Sequence, residues 1–191
     1  GGGGGGGGFG GQRKDPPIKR QLNCTLEELY SGTTKRMKIT KKLVDASGRS
    51  MPVEKVLEIK IKPGWKAGTK ITYEREGDER PGVEPADLVF EVAQKPHAVF
   101  TREKNDLIVN NSITLKQALC GTHVMVDTLS GRRLKINVKD IVRPGYEKRI
   151  AGEGMPNQKD PSQKGDLVLR FNVIWPYSLS EQQREQLQAI L

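Results

Sequence analysis

The sequence predicts a mainly β chain made of two similar small domains in tandem, with short helices and a last helix at its C-terminal end. Three observations carry this. Apolar residues alternate over many short runs bounded by Gly, Pro, Asn and Asp, the pattern of strands and turns. A set of signals recurs after about 80–90 residues, too long a spacing for a solenoid repeat and suited to a duplicated domain. The helical signatures are short and capped.

Composition sets the limits. The 191 residues are 35% hydrophobic and 29% charged, which suits one or two globular domains with a real core. No apolar run approaches the ~18–20 residues of a membrane span, and no secretion signal is visible, so no membrane partner is expected. Cys24 and Cys120 lie far apart without a CxxC pair. A zinc site or disulfide framework is therefore not expected, and a reducing compartment is: the cytoplasm, with the nucleus also open. The net charge of +9 admits nucleic acid, anionic lipid or acidic protein segments as partners. Up to Lys42 there are nine Lys/Arg against three Asp/Glu, so much of that charge is N-terminal. Aromatic residues make up only 5%, which disfavours a base-stacking surface.

The elements follow in order. Gly1 to Gly11, broken only by Phe9, is expected to be a flexible linker with a partner upstream, because glycine loses the most entropy on ordering. No Gly-Lys-Ser/Thr follows, so it is not a phosphate-binding loop. Asp15-Pro16-Pro17 closes the linker at 1–17. Ile18 to Leu22 reads as a short strand. In Thr25-Leu26-Glu27-Glu28-Leu29-Tyr30-Ser31-Gly32, Thr25 and Glu28 form a capping box and Gly32 supplies a left-handed exit.

Thr33 to Lys42 alternates as a strand. Lys35, Met37 and Ile39 share one face, while Thr34, Arg36, Lys38 and Thr40 share the other. Apolar side chains beside cations could hold an extended peptide with an acidic end. A half-buried strand with a solvated basic face has the same pattern, and Arg36, Lys41 and Lys42 fit solvated charge. Asp45 to Gly48 is a turn. Val56, Leu57, Ile59 and Ile61 mark the next strand, ended by Pro63-Gly64, with Trp65 expected as a core plug. Lys70 to Tyr73 is a further strand, 76–85 a polar loop, and Leu88, Phe90 and Val92 the apolar face of a closing strand.

The second half repeats the plan. Thr114 to Thr122 answers Thr25 to Thr33, Pro144-Gly145-Tyr146 answers Pro63-Gly64-Trp65, and Asp166-Leu167-Val168-Leu169 answers Asp87-Leu88-Val89-Phe90. The counterpart of the basic strand, Val124 to Thr128, has no basic residue. Whatever that strand does, only the first domain does it. Finally, Ser180 to Gln183 starts a helix on which Leu187, Ile190 and Leu191 share a face. A helix of about 11–12 residues is marginal alone, so its stripe must pack on this chain or on a second copy.

No catalytic constellation emerges. His97 and His123 are the only histidines, and nothing local supports a Cys24–His123 dyad. Paired carboxylates, metal-ligand spacing and a nucleotide fingerprint are all absent. The chain reads as a binding protein without enzyme activity, cofactor or metal. A basic nucleic-acid-binding protein is the alternative.

The motifs Thr25 to Gly32, Lys35 to Ile39 and Pro63-Gly64-Trp65-Lys66-Ala67-Gly68-Thr69-Lys70-Ile71 resemble the C-terminal region of class II (type B) DnaJ co-chaperones. His97 to Arg102, Leu115 to Gly121, Gly152-Glu153-Gly154-Met155-Pro156 and Lys164 to Leu167 continue the likeness to the end of the chain. The CxxCxGxG repeats of class I relatives are absent. So is the His-Pro-Asp motif, so the J-domain is expected to lie outside this sequence.

The resemblance implies two β-sandwich-like domains, at 18–100 and 101–177, and a dimerisation helix at 178–191 that forms a homodimer. Tyr177, Leu179, Leu187, Ile190 and Leu191 are the positions expected at the dimer contact. It further implies a groove in the first domain for unfolded or extended polypeptides and for the acidic Glu-Glu-Val-Asp tail of a DnaK-type heat-shock chaperone. The groove positions fall on Leu22, Lys35, Met37, Lys38, Ile39 and Phe90, with Lys55 the nearest candidate for a further lysine. Met37 is aromatic in some relatives; methionine keeps the groove apolar but less sharply shaped. Neither nucleic acid nor membrane is an implied partner.

Overall fold

A computed structural model describes residues 13–191, so the greater part of the expected linker, residues 1–12, lies outside the described residues. The chain divides into two compact units, one ending at Lys95 and the other beginning at Pro96. Both are mainly β.

In the first unit, β1 (Arg13–Lys14) precedes β2 (Ile18–Cys24), α1 (Leu26–Ser31), β3 (Thr33–Val44) and β4 (Ser50–Ile61). Then come β5 (Lys70–Tyr73), β6 (Val83–Glu84) and β7 (Leu88–Gln94). The central sheet has the order β2-β7-β5, with β2 parallel and β5 antiparallel to β7. The long hairpin β3–β4 is a second layer, and β1 pairs parallel with β6, so part of the expected linker is strand. Leu22, Leu57, Ile59, Ile61, Leu88, Phe90 and Val92 are buried between the layers, which join where the Tyr73 hydroxyl donates to the Glu58 carbonyl (2.8 Å). Tyr73 also meets Phe90 edge to face at 5.8 Å.

The expected capping box holds α1: Glu28 N–H donates to Thr25 Oγ1 (3.2 Å) and Thr25 N–H to Glu28 Oε1 (2.9 Å). At Gly32 the exit has φ +75° but ψ 155°, so it is a positive-φ extended residue rather than a left-handed helical one. The backbone there runs against Ile61 and Pro63. Asp45 closes the β3–β4 turn, its Oδ1 accepting the Ser47 and Arg49 N–H groups. Trp65 is half-buried rather than a core plug.

In the second unit, β8 (Phe100–Glu103) and β9 (Asp106–Thr114) lead into α2 (Leu115–Cys120). They are followed by β10 (Thr122–Asp127), β11 (Arg133–Val138), β12 (Glu147–Ile150), β13 (Leu167–Ile174) and α3 (Glu181–Ile190). The sheet order is β12-β13-β9-β8, with the hairpin β10–β11 beside it. The duplicated plan therefore holds for the sheet, the hairpin and the capped helix, and the second unit adds β8, which pairs antiparallel on the outer edge of β9. Ile113, Ala118, Val138 and Val142 form a buried cluster against Tyr146, Phe171 and Val173. Gly154 and Gly165 lie so close to Asn105 that a Cβ on Gly165 would sit 2.1 Å from the Asn105 carbonyl oxygen.

Candidate binding groove

The groove is built from two strands of the first unit. Strand β2 is an edge of its sheet, and β3 is paired only with β4 over most of its length. Between them a cavity of about 190 Å³ is lined by Ile18 and Arg20 of β2, Ile39 and Lys41 of β3, Leu88 and the 76–78 loop.

Alternation along β3 sorts its side chains. Lys35, Met37, Ile39 and Lys41 are half-buried on the inward face, opposite Ile59, Leu57, Lys55 and Val53 of β4. The outward face carries Arg36 and Lys38, each paired within the hairpin: Arg36 Nη2 lies 3.1 Å from Glu58 and Lys38 Nζ 3.0 Å from Glu54. Much of the basic charge on this face is thus answered locally.

Lys35 is the most constrained of the expected cations. Its Nζ donates to the Asn23 carbonyl (2.5 Å) and lies 3.2 Å from Glu28 Oε1, which ties the start of β3 to the end of β2. Burial opposes ionisation of Glu28, but the Thr25 N–H and the Lys35 ammonium outweigh it and hold the carboxyl below its ordinary value. Further along the same face of β3, Lys41 lines the cavity, is 14% exposed and meets Glu76 (3.6 Å) and Glu79 (3.2 Å). Solvated charge was expected at Lys41. The difference arises because the 76–79 loop docks on β3, with Val44 N–H donating to Glu79 and Glu79 N–H to Lys42. Lys55 also pairs with Glu76, and chiefly through that contact keeps its carboxyl below the usual range despite burial.

The structure therefore brings Lys35, Met37 and Ile39 together and sets Lys38 on the opposite face. Leu22 and Phe90, each 1% exposed, lie inside the first unit's core. Ile18, Arg20, Lys41 and Leu88 were not anticipated at the groove. The alternation Ile18, Arg20, Leu22 was the signal for the first two.

The second unit offers apolar surface instead. Leu115, Leu119, Ile174, Trp175, Pro176 and Leu187 line a hollow of about 490 Å³. Helix α3 buries none of its residues, and Tyr177, Ile190 and Leu191 are exposed. Leu179 is half-buried. Cys24 is buried, its thiol pushed up by desolvation, and so is unsuited to act as a nucleophile. Among the described residues, no group of three or more His, Cys, Asp or Glu is placed to hold a metal ion. Among them too, no helix is long and apolar enough to cross a membrane.

Comparisons with known proteins agree with this architecture. The DnaJ C terminal domain family model matches residues 18–176. DnaJ homolog subfamily B member 5 of Homo sapiens is 46% identical over 173 residues, covering 90% of this chain and 50% of the relative. Protein psi1 of Schizosaccharomyces pombe is 43% identical over 186 residues (94% and 49%), and Protein SIS1 of Saccharomyces cerevisiae 35% over 172 residues (90% and 48%). The chain spans about half the length of these curated relatives. Matched across both of its units, the chain belongs to the DnaJ C-terminal domain family, with relatives among the subfamily B homologs.

Proposed function

We propose that this chain is the substrate-binding part of a cytoplasmic co-chaperone and acts without catalysis of its own. The first unit captures extended, unfolded polypeptide and the acidic C-terminal tail of a DnaK-type chaperone. The observation that supports this reading is the cavity between β2 and β3, lined by Ile18, Arg20 and Ile39, with Met37 and Lys35 half-buried further along the same face of β3. In this reading Leu22 and Phe90 form the floor below the groove, and Lys38, on the opposite face of β3, would have to leave Glu54 to meet acidic residues of a guest.

Burying one or two apolar peptide side chains contributes roughly 2–5 kcal/mol. A partly exposed lysine–carboxylate contact adds at most about 1 kcal/mol. After the cost of association, binding falls on the micromolar scale, suited to capture and release. Titrating a labelled Glu-Glu-Val-Asp peptide into wild type and Met37→Asp tests this: wild type binds, and the variant loses at least tenfold, about 1.4 kcal/mol. Equal affinity would rule out the groove as placed.

A homodimer forms through Tyr177, Leu179, Leu187, Ile190 and Leu191. The support is a helix that buries none of its residues, with Ile190 and the flanking Tyr177 and Leu191 exposed. Sedimentation of the chain against a version ending at Pro176 should give dimer and monomer. Two monomers would refute the contact.

A further inference from the structure

The two units repeat one sheet plan, and they complete one aspartate in different ways. Antiparallel pairing sets Tyr73 opposite Leu88 and Ile150 opposite Leu167, so Thr72 corresponds to Arg149 and Asp87 to Asp166. In the second unit the cation comes from the sheet itself: Arg149 Nη1 lies 3.2 Å from Asp166 and 3.2 Å from Asp106. In the first unit Thr72 has no charge to offer, and the cation comes from the segment that leads into the sheet. Lys14 Nζ, on β1, lies 3.0 Å from Asp87 and 3.7 Å from Glu84.

The neighbours of Lys14 are fastened to the same stretch. Arg13 and Lys14 run parallel to Val83 and Glu84 of β6, and the Asp15 carboxylate accepts from Arg80 Nη2 at 3.1 and 3.2 Å. Pro16 and Pro17 separate this pairing from β2, because they carry no N–H with which to continue a ladder. Strand β2 starts independently of it, with Ile18 N–H donating to Asp87 O (2.8 Å). The contacts of 13–15 are also weak ones. Lys14 is 39% exposed and Arg80 54%, and two residues of pairing belong to the parts of a fold that open first. Nor would opening strand a buried charge, since Asp87 Oδ1 also accepts the Arg75 N–H (3.1 Å).

We propose that residues 13–15 are a releasable strap, closed on 80–87 by the charges of Lys14 and Asp15 and opened while the rest of the first unit stays folded. Closed, the strap fixes the point at which the glycine-rich segment meets the first unit, beside Val83 and Glu84. Open, it frees 13–17 back to Ile18, which adds a reach of about 17 Å at roughly 3.3–3.6 Å per residue. The strap thus sets how far the glycine-rich segment extends from the first unit. Its ion pairs are exposed, so salt or loss of the Lys14 charge shifts it towards the open form. None of this depends on the peptide-binding reading.

A permanent edge strand that merely covers β6 would make the same contacts. Amide hydrogen exchange on the full chain separates the two. The amides of Arg13–Lys14 and Val83–Glu84 should exchange faster than those of β7, through local opening. Lys14→Gln should quicken them about threefold, the scale of a partly exposed ion pair, and leave the thermal midpoint unchanged. Thr72→Arg gives the first unit the cation that Arg149 gives the second; it should draw Asp87 away from Lys14 and quicken the same amides by a similar factor. Quickening in either variant supports the strap. If neither variant quickens these amides, or if in wild type they exchange as slowly as those of β7, the proposal is overturned.

Discussion

Replacing Glu76 by Gln removes one carboxylate from beneath the groove and nothing else of comparable size. Glu76 lies 3.6 Å from Lys41 and also contacts Lys55. The Lys55 contact is half exposed and screened, so it contributes a few tenths of a kcal/mol. Lys41 is mostly covered and would keep only Glu79, so that contact contributes about 1–2 kcal/mol. A total near 2 kcal/mol should lower the urea midpoint by about 1 M at pH 7, given a slope of 1–3 kcal/mol per M. The pH dependence has a definite sign. The folded-state pKa of Glu76 is depressed, so its stabilisation is fully present above the unfolded carboxylate value, about 4.3, and is lost as pH falls through the lower folded value. Gln does not titrate, so the gap between wild type and variant should close on acidification. Equal midpoints at pH 7, or a gap unchanged below pH 4, would refute the reasoning.

Two further outcomes are expected. Gly165→Ala should cost 3 kcal/mol or more, roughly the sum of overpacking and one or two strained hydrogen bonds, because the new Cβ meets backbone at Asn105 rather than a movable side chain; thermal unfolding of the variant measures it, and an unchanged midpoint would contradict the contact. In the native chain a thiol reagent should modify Cys120 promptly and Cys24 only on unfolding, since Cys24 is sealed and its thiol pushed up by burial; two equally fast thiols would show that the α1 end of the first unit is open.

Local signals were legible where the chemistry is local. The capping boxes at Thr25, Thr114 and Ser180 were all written within four residues, and all three form. Alternation along β3 gave its faces correctly, because a strand's period is independent of what covers it. Sheet order was not legible. Nothing in Phe100–Glu103 announces that it covers β9, and Arg13–Lys14 is too short to show a period before it pairs with β6. Lys41 was misjudged for the same reason, its partners lying more than thirty residues away in a polar loop. Met37 and Ile39 share the inward face of β3 as the alternation implied, whereas Arg20 lines the cavity between β2 and β3 because β2 is an open edge, which no local signal announces.

The exits of the two capped helices set unequal limits on sequence drift. Both glycines need positive φ, +75° at Gly32 and +92° at Gly121. A Cβ on Gly32 would also strike the Ile61 carbonyl oxygen and the Pro63 ring, both at 2.9 Å, whereas at Gly121 the nearest atom is the Val138 carbonyl oxygen at 3.3 Å. Both positions combine that positive φ with an extended ψ of 155°, a region that glycine alone occupies readily, so even asparagine, whose tolerance is for the left-handed helical region, would be strained at either. At Gly121 the backbone strain is the main cost, whereas at Gly32 a side chain must also displace the Ile61 backbone and the Pro63 ring. Alanine at position 32 should therefore lower the thermal midpoint more than alanine at position 121.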